Sequence, residues 1–422
     1  MVRRTAAGSR ATSCPATVAV PDVGESRVPS IRIVVVLPAP FGPKRPKTSP
    51  SAISNETPRT ASTPPGKVFR RSRHSSIGTR GRVTSGRTRR GRYGRMRGGI
   101  DLGGTKIQAV VVDGRSKVLG EHRMPTPKDA GAEGVVWALA EAIRAAAAAA
   151  GVETSALDGV GVGSPGTVDG EAGTIANARN VVSGWEAPVP VGATLADEVG
   201  AVVHLGHDVR VGTMAEFRLG AGKPYRSVLG VFWGTGVGGG LVLNGRSWTG
   251  RHAAGEIGHM VIRRGGARCP CGREGCMEAY AGRLAMEREA RRRHKAGHKT
   301  RLFDIMRDRD RTQLTSGVWA RALDRGDAMA TELIERAIEA LGAGVASACN
   351  LLDVEAVIIG GGLGTRLGED YARRIEKAMA PHIFVSDNPP AVHVAALGDL
   401  GGAIGAALLV PAVRAGSAAR GS

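Results

Sequence analysis

Short apolar runs, each followed by a glycine-rich turn, recur at three places along the chain. The segment "GGIDLGGTKIQAVVVDGRSKVLGEHRMPTP" (98–127) predicts three successive strands joined by tight turns. The segment "SVLGVFWGTGVGGGLVLNGRSWTG" (227–250) predicts two strands around a glycine loop. The segment "VEAVIIGGGLGTRLG" (354–368) predicts a buried strand that runs into glycines and then a helix. Strands mixed with helices in this way predict an α/β fold.

Three other segments carry apolar residues at helical spacing, over 133–151, 329–352 and 399–413. Each shows the apolar stripe of a helix that packs on a core. Cys349 lies in the second segment and is predicted to be a small core residue rather than a metal ligand. No apolar run reaches the length of a bilayer span, and no secretory signal peptide is recognised. Five cysteines, three of them clustered, favour the cytoplasm.

The first 97 residues differ from the rest in charge and composition. They carry 21 Lys and Arg against 3 Asp and Glu, whereas the following residues carry 37 against 35. They are rich in Pro, Ser, Thr and Arg and lack a sustained apolar period, which predicts a disordered basic tail over residues 1–97. Such an arm can bind nucleic acid. The alternative is an untranslated or mis-called extension, with Met96 as the natural start. The nearly neutral remainder predicts no dedicated basic groove.

The three glycine turns suit phosphate binding. Backbone N–H groups in such turns, with a Thr hydroxyl and a Lys beside them, can point at phosphoryl oxygens, and a carboxylate that ends the first strand suits a metal-bound phosphate. None of the turns is a Walker A loop or a convincing Rossmann fingerprint, and any one alone is compatible with a structural hairpin. Together they predict nucleotide binding. The predicted cofactor-binding residues are Asp101, Gly103, Gly104, Thr105, Lys106, Gly234, Thr235, Gly236, Gly360, Gly361 and Gly362.

Asp208 is the candidate catalytic carboxylate. It follows a predicted strand (Val202 to Leu205) and precedes a predicted helix that begins near Val209. A carboxylate at the end of a strand occupies a typical functional position in α/β proteins. An aspartate before a helix also serves as an N-cap, so the residues alone leave both roles open.

The motifs "DLGGTK", "GTGVGGG", "GEIGHM" and "CPCGREGCMEAYAG", in this order, resemble the ROK family (repressors, open reading frames, sugar kinases). Within it the similarity is greatest to the ATP-dependent glucokinases of bacteria, of the actinobacterial type. The resemblance covers residues 98–413 and implies a two-domain actin-like ATPase architecture, shared by sugar kinases, heat-shock ATPases and actin. The implied parts are an N-terminal α/β domain (98–210), a C-terminal α/β domain (211–398) and a C-terminal helix (399–413) that packs back on the N-terminal domain.

The resemblance also implies a reaction and a set of site residues. The reaction is ATP-dependent phosphorylation of a hexose, most simply glucose to glucose 6-phosphate, with Mg²⁺ on the phosphates and Asp208 as the general base. His207 stands where the family usually has Asn, and an imidazole differs from an amide in reach and in pH dependence. The implied substrate-binding residues are Gly166, Asn180, His207, Glu256, His259 and Glu278.

Three cysteines lie within "RCPCGREGCMEAYAG" (268–282). Cys269, Cys271 and Cys276 follow a C-x-C-x₄-C spacing, and Zn²⁺ prefers four tetrahedral ligands. His259, ten residues before Cys269, is predicted to be the fourth ligand. A closed Cys₃His site predicts a structural Zn²⁺ rather than a catalytic one. A redox pair is the alternative, although C-x-C lacks the helix context of C-x-x-C.

Several alternatives stay open at this stage. The sugar is glucose, or else fructose, N-acetylmannosamine or N-acetylglucosamine, and the donor is ATP or else polyphosphate. A non-catalytic, sugar-responsive transcriptional regulator is the alternative outside enzymes, and the tail shows no helix-turn-helix pattern. The expected partners are a hexose and ATP, in a homodimer or homotetramer. No membrane is expected, and no nucleic acid except through the basic tail.

Overall fold

The twelve strands of the described residues form two five-stranded sheets of similar topology and one two-stranded sheet. The structure, a computed structural model, describes residues 94–178 and 181–411. The predicted disordered tail therefore lies outside the described residues, apart from its last four positions, and so does Asn180. The strands are β1 (Met96–Leu102), β2 (Lys106–Asp113), β3 (Val118–Pro125), β4 (Val160–Ser164), β5 (Thr167–Asp169), β6 (Thr174–Ala176), β7 (Val203–His207), β8 (Val228–Trp233), β9 (Val237–Leu243), β10 (Arg246–Ser247), β11 (Ala356–Gly360) and β12 (Ala391–Val394).

Ten α-helices connect or cover these strands within the described ranges. They are α1 (Gly131–Ala150), α2 (Val191–Val199), α3 (Asp208–Leu219), α4 (Glu278–Ala281), α5 (Arg283–Lys295), α6 (Leu302–Asp308), α7 (Ser316–Asp324), α8 (Ala328–Leu352), α9 (Gly361–Met379) and α10 (Gly401–Ala407). Short 3₁₀ turns lie at Thr154–Ala156, Ile257–His259, Ala380–His382 and Gly398–Leu400.

Each large sheet begins with an antiparallel hairpin and continues with parallel strands. The first has the order β3-β2-β1-β4-β7, in which β1, β4 and β7 are parallel. The second has the order β10-β9-β8-β11-β12, in which β8, β11 and β12 are parallel. The carboxyl ends of parallel strands lie at one edge of a sheet, where α/β proteins place their sites. The predicted α/β fold with hairpin-led sheets is confirmed.

Two apolar cores hold the sheets to their helices. The first core joins β1 to α1 and α2, with Ile100, Leu139 and Leu195 fully buried. The second joins β8 and β11 to the helices after residue 277, with Trp233 and Trp319 among its largest fully buried side chains. Burial of side chains of this size is the main stabilising contribution to each half.

Helices α3 and α10 connect the two sheets. Helix α3 contacts β4 and β7 of the first sheet as well as β8 and β9 of the second, and α10 packs on β1, β4 and α3. The contact between the helices is close, since a β-carbon added to Gly405 would lie 2.4 Å from the carbonyl oxygen of Val211. Because Asp208 is the first residue of α3, it lies where the two halves meet. None of the described helices combines the length and the apolar character that crossing a membrane requires.

Candidate active site

The carboxyl ends of three parallel strands bring the candidate catalytic residues together. In the strand register Asp101 of β1 is level with Gly163 of β4, and Ser164 of β4 is level with His207 of β7. Asp208 follows His207 directly, and a β-carbon on Gly163 would lie 3.6 Å from its Cα. Asp101, His207 and Asp208 therefore share one edge of the first sheet.

The structure places Asp208 at the first position of α3 rather than at its N-cap, which is His207. It begins α3, and its Oδ1 accepts a hydrogen bond from the N–H of Val209 at 2.7 Å. Burial raises the pKa of Asp208 to about 6, and the nearby Glu256 carboxylate adds to the rise, while the Val209 N–H and Arg210 oppose it. A carboxylate with a pKa in this range is ionised near neutral pH and is a more effective proton acceptor than an ordinary aspartate.

Asp101 is the second carboxylate at this edge and, like Asp208, is half-buried. Burial raises the pKa of Asp101 to about 7, the negative charge of Asp208 raises it further, and Lys106 opposes the rise. Helix α10 lies directly against it, since a β-carbon added to Gly402 would lie 2.7 Å from Asp101 Cγ. Because Asp101 and Asp208 are neighbours and like charges disfavour each other's ionised form, a bound cation would stabilise both carboxylates.

His207 is in direct contact with Asp208. The Nδ1 atom of His207 lies 3.2 Å from Oδ1 of Asp208, and both side chains are largely shielded from solvent. Burial and the charge of Arg210 lower the pKa of His207 below its ordinary value, although Glu256 acts in the opposite direction. The imidazole is therefore neutral at neutral pH and presents one donor and one acceptor.

The three predicted glycine turns lie at one cleft, of about 1120 Å³. The hairpin turn closes through a hydrogen bond from Gly103 N to the Lys106 carbonyl, at 3.0 Å. The second and third turns face each other, because a β-carbon on Gly234 would lie 3.7 Å from the nitrogen of Gly362. Of the predicted cofactor-binding residues, seven line the cleft: Gly103, Gly104, Thr105, Lys106, Gly234, Thr235 and Gly362. The other four, Asp101, Gly236, Gly360 and Gly361, are not among the residues that line it.

A side chain at either of two of those four positions would disturb its surroundings, through the backbone at Gly361 and through the Glu278 carboxylate at Gly236. Gly361 has φ +80°, and a β-carbon there would lie 2.6 Å from the Trp233 carbonyl oxygen. A β-carbon on Gly236 would lie 2.2 Å from Oε2 of Glu278. That carboxylate oxygen accepts a hydrogen bond from the N–H of Val237 at 2.9 Å. The second glycine turn is therefore fixed to the predicted sugar-binding carboxylate Glu278.

Among the described residues, several of the predicted substrate-binding residues lie near Asp208. Gly166 follows β4, and Glu256 is half-exposed and acts electrostatically on both His207 and Asp208. The Nε2 atom of His259 lies 4.0 Å from Oε2 of Glu256. Glu256 therefore links His259 to the edge that carries His207 and Asp208.

The cysteine segment folds into a compact cluster next to Glu278. The ligand atoms of His259, Cys269, Cys271 and Cys276 all lie within 4.8 Å of one another. Nδ1 of His259 lies 3.7 Å from the sulfur of Cys269, and the sulfurs of Cys271 and Cys276 are also 3.7 Å apart. In a tetrahedral zinc site with zinc–sulfur bonds of about 2.3 Å, neighbouring ligand atoms are separated by close to this distance. Burial raises the pKa of the Cys269 thiol to about 12, so a thiolate there needs an adjacent cation.

Backbone hydrogen bonds fasten this cluster to the segment that carries Glu256. Ile262 N donates to the Gly275 carbonyl and Met277 N to the Met260 carbonyl, both at 2.9 Å. The cluster therefore holds the turn 256–259 beside Glu278, and the four side chains fit a structural metal ion.

Sequence reasoning missed several residues of the cleft. Arg283 is buried and donates to the Leu314 carbonyl at 2.7 Å and to Thr235 Oγ1 at 3.1 Å. Thr126 Oγ1 donates to the Gly103 carbonyl at 2.7 Å and supports the hairpin turn. No motif marks either residue, because their partners are far away in sequence.

The expectation that the core lacks a basic groove is wrong. Six cationic side chains are among the described residues that line the cleft: Lys106, Arg123, Arg283, Arg309, Arg311 and Arg366. Asp399 is the one carboxylate among those lining residues, 3.8 Å from Lys106 Nζ and 3.6 Å from Arg123 Nη1. The near-neutral net charge of the core concealed this concentration of positive charge.

The comparison with known proteins agrees with this geometry. The sequence profile of the ROK family matches residues 97–413. The chain belongs to the ROK family. The glucokinase of Thermotoga maritima is 32% identical over 294 residues, which cover 68% of this chain and 88% of that protein. The N-acetylmannosamine kinase of Haemophilus influenzae is 30% identical over 314 residues, 74% of this chain and 94% of that protein.

A solved structure extends the likeness to three dimensions. The ROK family glucokinase from Streptomyces griseus, in complex with glucose and AMPPNP, has a TM-score of 0.65 and 31% sequence identity. The match covers 74% of this chain and 98% of that one. This ROK protein is therefore a sugar kinase, with the actin-like ATPase fold that the sequence predicted.

Proposed function

We propose that this sugar kinase transfers the γ-phosphoryl group of ATP to the 6-hydroxyl of glucose. The observation that carries the proposal is the position of Asp208. Its carboxylate, with a pKa raised to about 6, shares one sheet edge with Asp101 and lies close enough to Glu256 for that charge to affect it. Phosphoryl transfer has a loose transition state, so this placement matters more than the strength of the base.

The proposed mechanism divides sugar binding, proton transfer and phosphate binding among different groups. Glu256, His259 and Glu278 bind the sugar hydroxyls, together with Gly166, His207 and Asn180. The ionised Asp208 accepts the proton of the reacting hydroxyl as the hydroxyl oxygen bonds to the γ-phosphorus; the bond from that phosphorus to the β,γ-bridging oxygen breaks, and ADP leaves. Backbone N–H groups of the hairpin turn and Lys106 hold the phosphates in line. Gly234, Thr235, Gly236 and Gly360–Gly362 supply the flat backbone surface along which the nucleotide lies.

Magnesium fits the carboxylate near the end of β1. Asp101 is an oxygen ligand of the kind that Mg²⁺ prefers, and its pKa is raised by burial and by the negative charge of Asp208, both of which a bound cation would offset. When bound with ATP, the ion would neutralise charge on the phosphate oxygens. The hairpin turn and Lys106 position the phosphate donor, and Asp208 accepts the proton.

Zinc fits the cluster of His259, Cys269, Cys271 and Cys276. The donor set and the close spacing of the four ligand atoms support a structural ion. One ring nitrogen of His259 faces the thiols while the other faces Glu256, so the same residue would hold the metal and orient the sugar pocket.

The test of the reaction is a coupled assay of ADP release with a panel of sugars. Glucose should give the highest kcat/KM among glucose, mannose, fructose, N-acetylglucosamine and N-acetylmannosamine, and phosphorus NMR of the product should place the phosphate on O6. A higher kcat/KM for N-acetylmannosamine would assign the second candidate, which the relative from Haemophilus influenzae supports. No turnover with any sugar would leave the regulator hypothesis. The homodimer or homotetramer and the cytoplasmic location stay predictions.

A further inference from the structure

A second, smaller pocket lies beside the nucleotide cleft, and the proposed reaction does not use it. Its volume is about 270 Å³, and the residues that line it define the basic pocket: Ile305, Asp308, Arg309, Arg321 and Arg325. Pockets for drug-sized ligands usually span about 300–1,000 Å³, so this one suits a smaller molecule. Arg309 also lines the nucleotide cleft, and the two spaces therefore share this side chain.

Helices α6 and α7 position the charged side chains of the basic pocket. Asp308 ends α6, and Arg309 follows it directly. Arg321 and Arg325 are four residues apart at the end of α7, a spacing that places them on one face. Nη1 of Arg309 would lie 3.6 Å from a β-carbon on Gly317, which belongs to the first turn of α7 and lines the nucleotide cleft. One helix thus connects the two spaces.

The positive charges of the basic pocket are not neutralised by neighbouring side chains. Within the described residues, none of its three guanidinium groups forms an ion pair or a side-chain hydrogen bond. Arg307, by contrast, pairs with Asp304 on the same helix. Three arginines and Asp308 together give the lining a net charge of +2. A concave surface with this charge creates a positive potential that attracts anions.

The mixed lining selects among anions. Guanidinium groups bind phosphate oxygens through paired hydrogen bonds, and a phosphate monoester carries a charge of about −1.5 to −2 near neutral pH. The Asp308 carboxylate repels a ligand made of phosphate groups alone, but it accepts hydrogen bonds from hydroxyl groups. No aromatic side chain is among the described residues that line the pocket, so a base finds no stacking partner there. The lining matches a small molecule with one phosphate and several hydroxyls.

We propose that the basic pocket binds a sugar phosphate as an inhibitory effector, with the phosphate on the arginines and the sugar hydroxyls at Asp308. Arg309 transmits the effect, because a guanidinium that is held by the effector no longer attracts the nucleotide in the cleft. Occupation of the pocket therefore weakens ATP binding. The product of the proposed reaction is itself a sugar phosphate, so the pocket provides feedback inhibition. This inhibition rests on the proposed function, whereas binding of the ligand does not.

Calorimetric titration tests the site directly. Glucose 6-phosphate is titrated into the enzyme in saturating glucose, which keeps the titrant out of the sugar site. The wild type should bind it, and Arg321→Ala/Arg325→Ala should raise Kd about tenfold or more, since two charge-assisted donors are lost. Arg246→Ala/Arg288→Ala removes the same charge from exposed positions on β10 and α5 and should leave Kd unchanged. Absence of binding, or the same Kd in wild type and both double variants, overturns the site.

The class of ligand is tested with inorganic phosphate and tripolyphosphate under the same conditions. Glucose 6-phosphate should bind about tenfold more tightly than either, because only its hydroxyl groups donate hydrogen bonds to Asp308. Asp308→Asn should reduce this preference, since the amide repels phosphate less and is a weaker acceptor than a carboxylate. Equal or tighter binding of tripolyphosphate by the wild type overturns the assignment of a sugar phosphate.

Initial rates separate the inhibition from the proposed function. In saturating glucose, glucose 6-phosphate should raise the KM for ATP, and Arg321→Ala/Arg325→Ala should need about tenfold more of it for the same rise. Without glucose 6-phosphate this variant should turn over at the wild-type rate, because neither residue is among those that line the cleft. Equal inhibition of both proteins overturns the feedback. If no sugar is phosphorylated, the proposed function and the feedback fail together, whereas binding that depends on Arg321 and Arg325 still supports the site.

Discussion

At the scale of single residues, the environment of Asp208 sets a pH dependence. The base accepts a proton only when ionised, and burial raises the pKa of Asp208 to about 6. Turnover should therefore be constant above that value and fall about tenfold per pH unit below it. The measurement is kcat against pH with saturating glucose and ATP. A profile that stays flat well below this pKa would contradict the assignment of the base.

His207 is expected to position Asp208 rather than to take the proton itself. His207→Phe removes the polar atom that lies 3.2 Å from Oδ1 of Asp208. We expect kcat to fall about tenfold or more, since the loss of a hydrogen-bonding group beside a charge costs this much. The acidic limb of the pH profile should also move to higher pH, because the ionised carboxylate loses a nearby polar partner.

Conservative replacement distinguishes this role from a structural one. His207→Asn keeps one donor and one acceptor and should restore most of kcat. The matched control is His204→Phe, three residues earlier on β7, which should leave the pH profile in place. The same loss of kcat in His207→Phe, His207→Asn and His204→Phe, with no shift in the acidic limb of the pH profile, would mean that His207 contributes only to packing.

At the scale of structural elements, the cysteine cluster links the segment 256–262 to α4. Cys276→Ser removes one of the four ligand atoms that lie within 4.8 Å of one another. We expect loss of about one zinc ion per chain, a marked fall in thermal stability and a higher KM for glucose, since a structural zinc contributes folding energy directly. The measurements are plasma mass spectrometry for the metal and thermal unfolding.

Cys349→Ser is the matched control for that experiment. Cys349 is buried in α8 and lies outside the cluster. Its variant should lose some stability through burial of a hydroxyl but keep the zinc. Zinc retained in Cys276→Ser, or absent from the wild type with all three clustered thiols titratable, would contradict the metal site.

The anchoring of α3 depends on one buried carboxylate. Oε2 of Glu216 accepts hydrogen bonds from the N–H groups of Ala221 and Ala396, at 3.0 and 2.9 Å, and Oε1 accepts one from Leu397 at 2.9 Å. Glu216→Gln would turn an amide N–H toward a backbone donor, so unfolding free energy should fall by about 1–3 kcal/mol. Urea unfolding measures the change.

An exposed glutamate with similar partners provides the comparison. Glu355 accepts from the N–H groups of Arg226 and Ser227 but remains exposed, so water can replace the lost bond. Glu355→Gln should therefore cost clearly less than Glu216→Gln. Equal losses of unfolding free energy in the two variants would mean that burial of Glu216 does not raise the cost of losing its hydrogen bond.

At the scale of the whole molecule, the sequence predicted those features that depend on local pattern. Apolar runs with glycine turns predicted both hairpins that lead the sheets, and strand–glycine–helix order predicted β11 and α9. Boundaries were less accurate: the strand predicted to end at Leu205 extends to His207, and α3 begins at Asp208 rather than Val209. The motifs also placed seven of the predicted nucleotide residues at a single cleft.

Features that depend on contacts between distant segments could not be predicted. Arg283 donates a hydrogen bond to the Leu314 carbonyl, and Glu216 accepts hydrogen bonds from Ala396 and Leu397. These partners are far apart in sequence, and no periodic pattern of residues marks such pairs. The cationic lining of the cleft could not be predicted for a related reason, because net charge sums over the whole surface and does not report where charges concentrate. Such features follow from how α3, α7 and the loops fold together around the two sheets.

The central claim is that this ROK protein phosphorylates a hexose through Asp208. The most direct test is the rate of ADP release with glucose and ATP for the wild type, Asp208→Asn and the control Asp197→Asn, an exposed position on α2. We expect a fall of about 10²–10⁴-fold in kcat for Asp208→Asn, with the variant still folded by thermal unfolding, and a wild-type rate for the control. A folded Asp208→Asn variant that turns over glucose at the wild-type rate would contradict it.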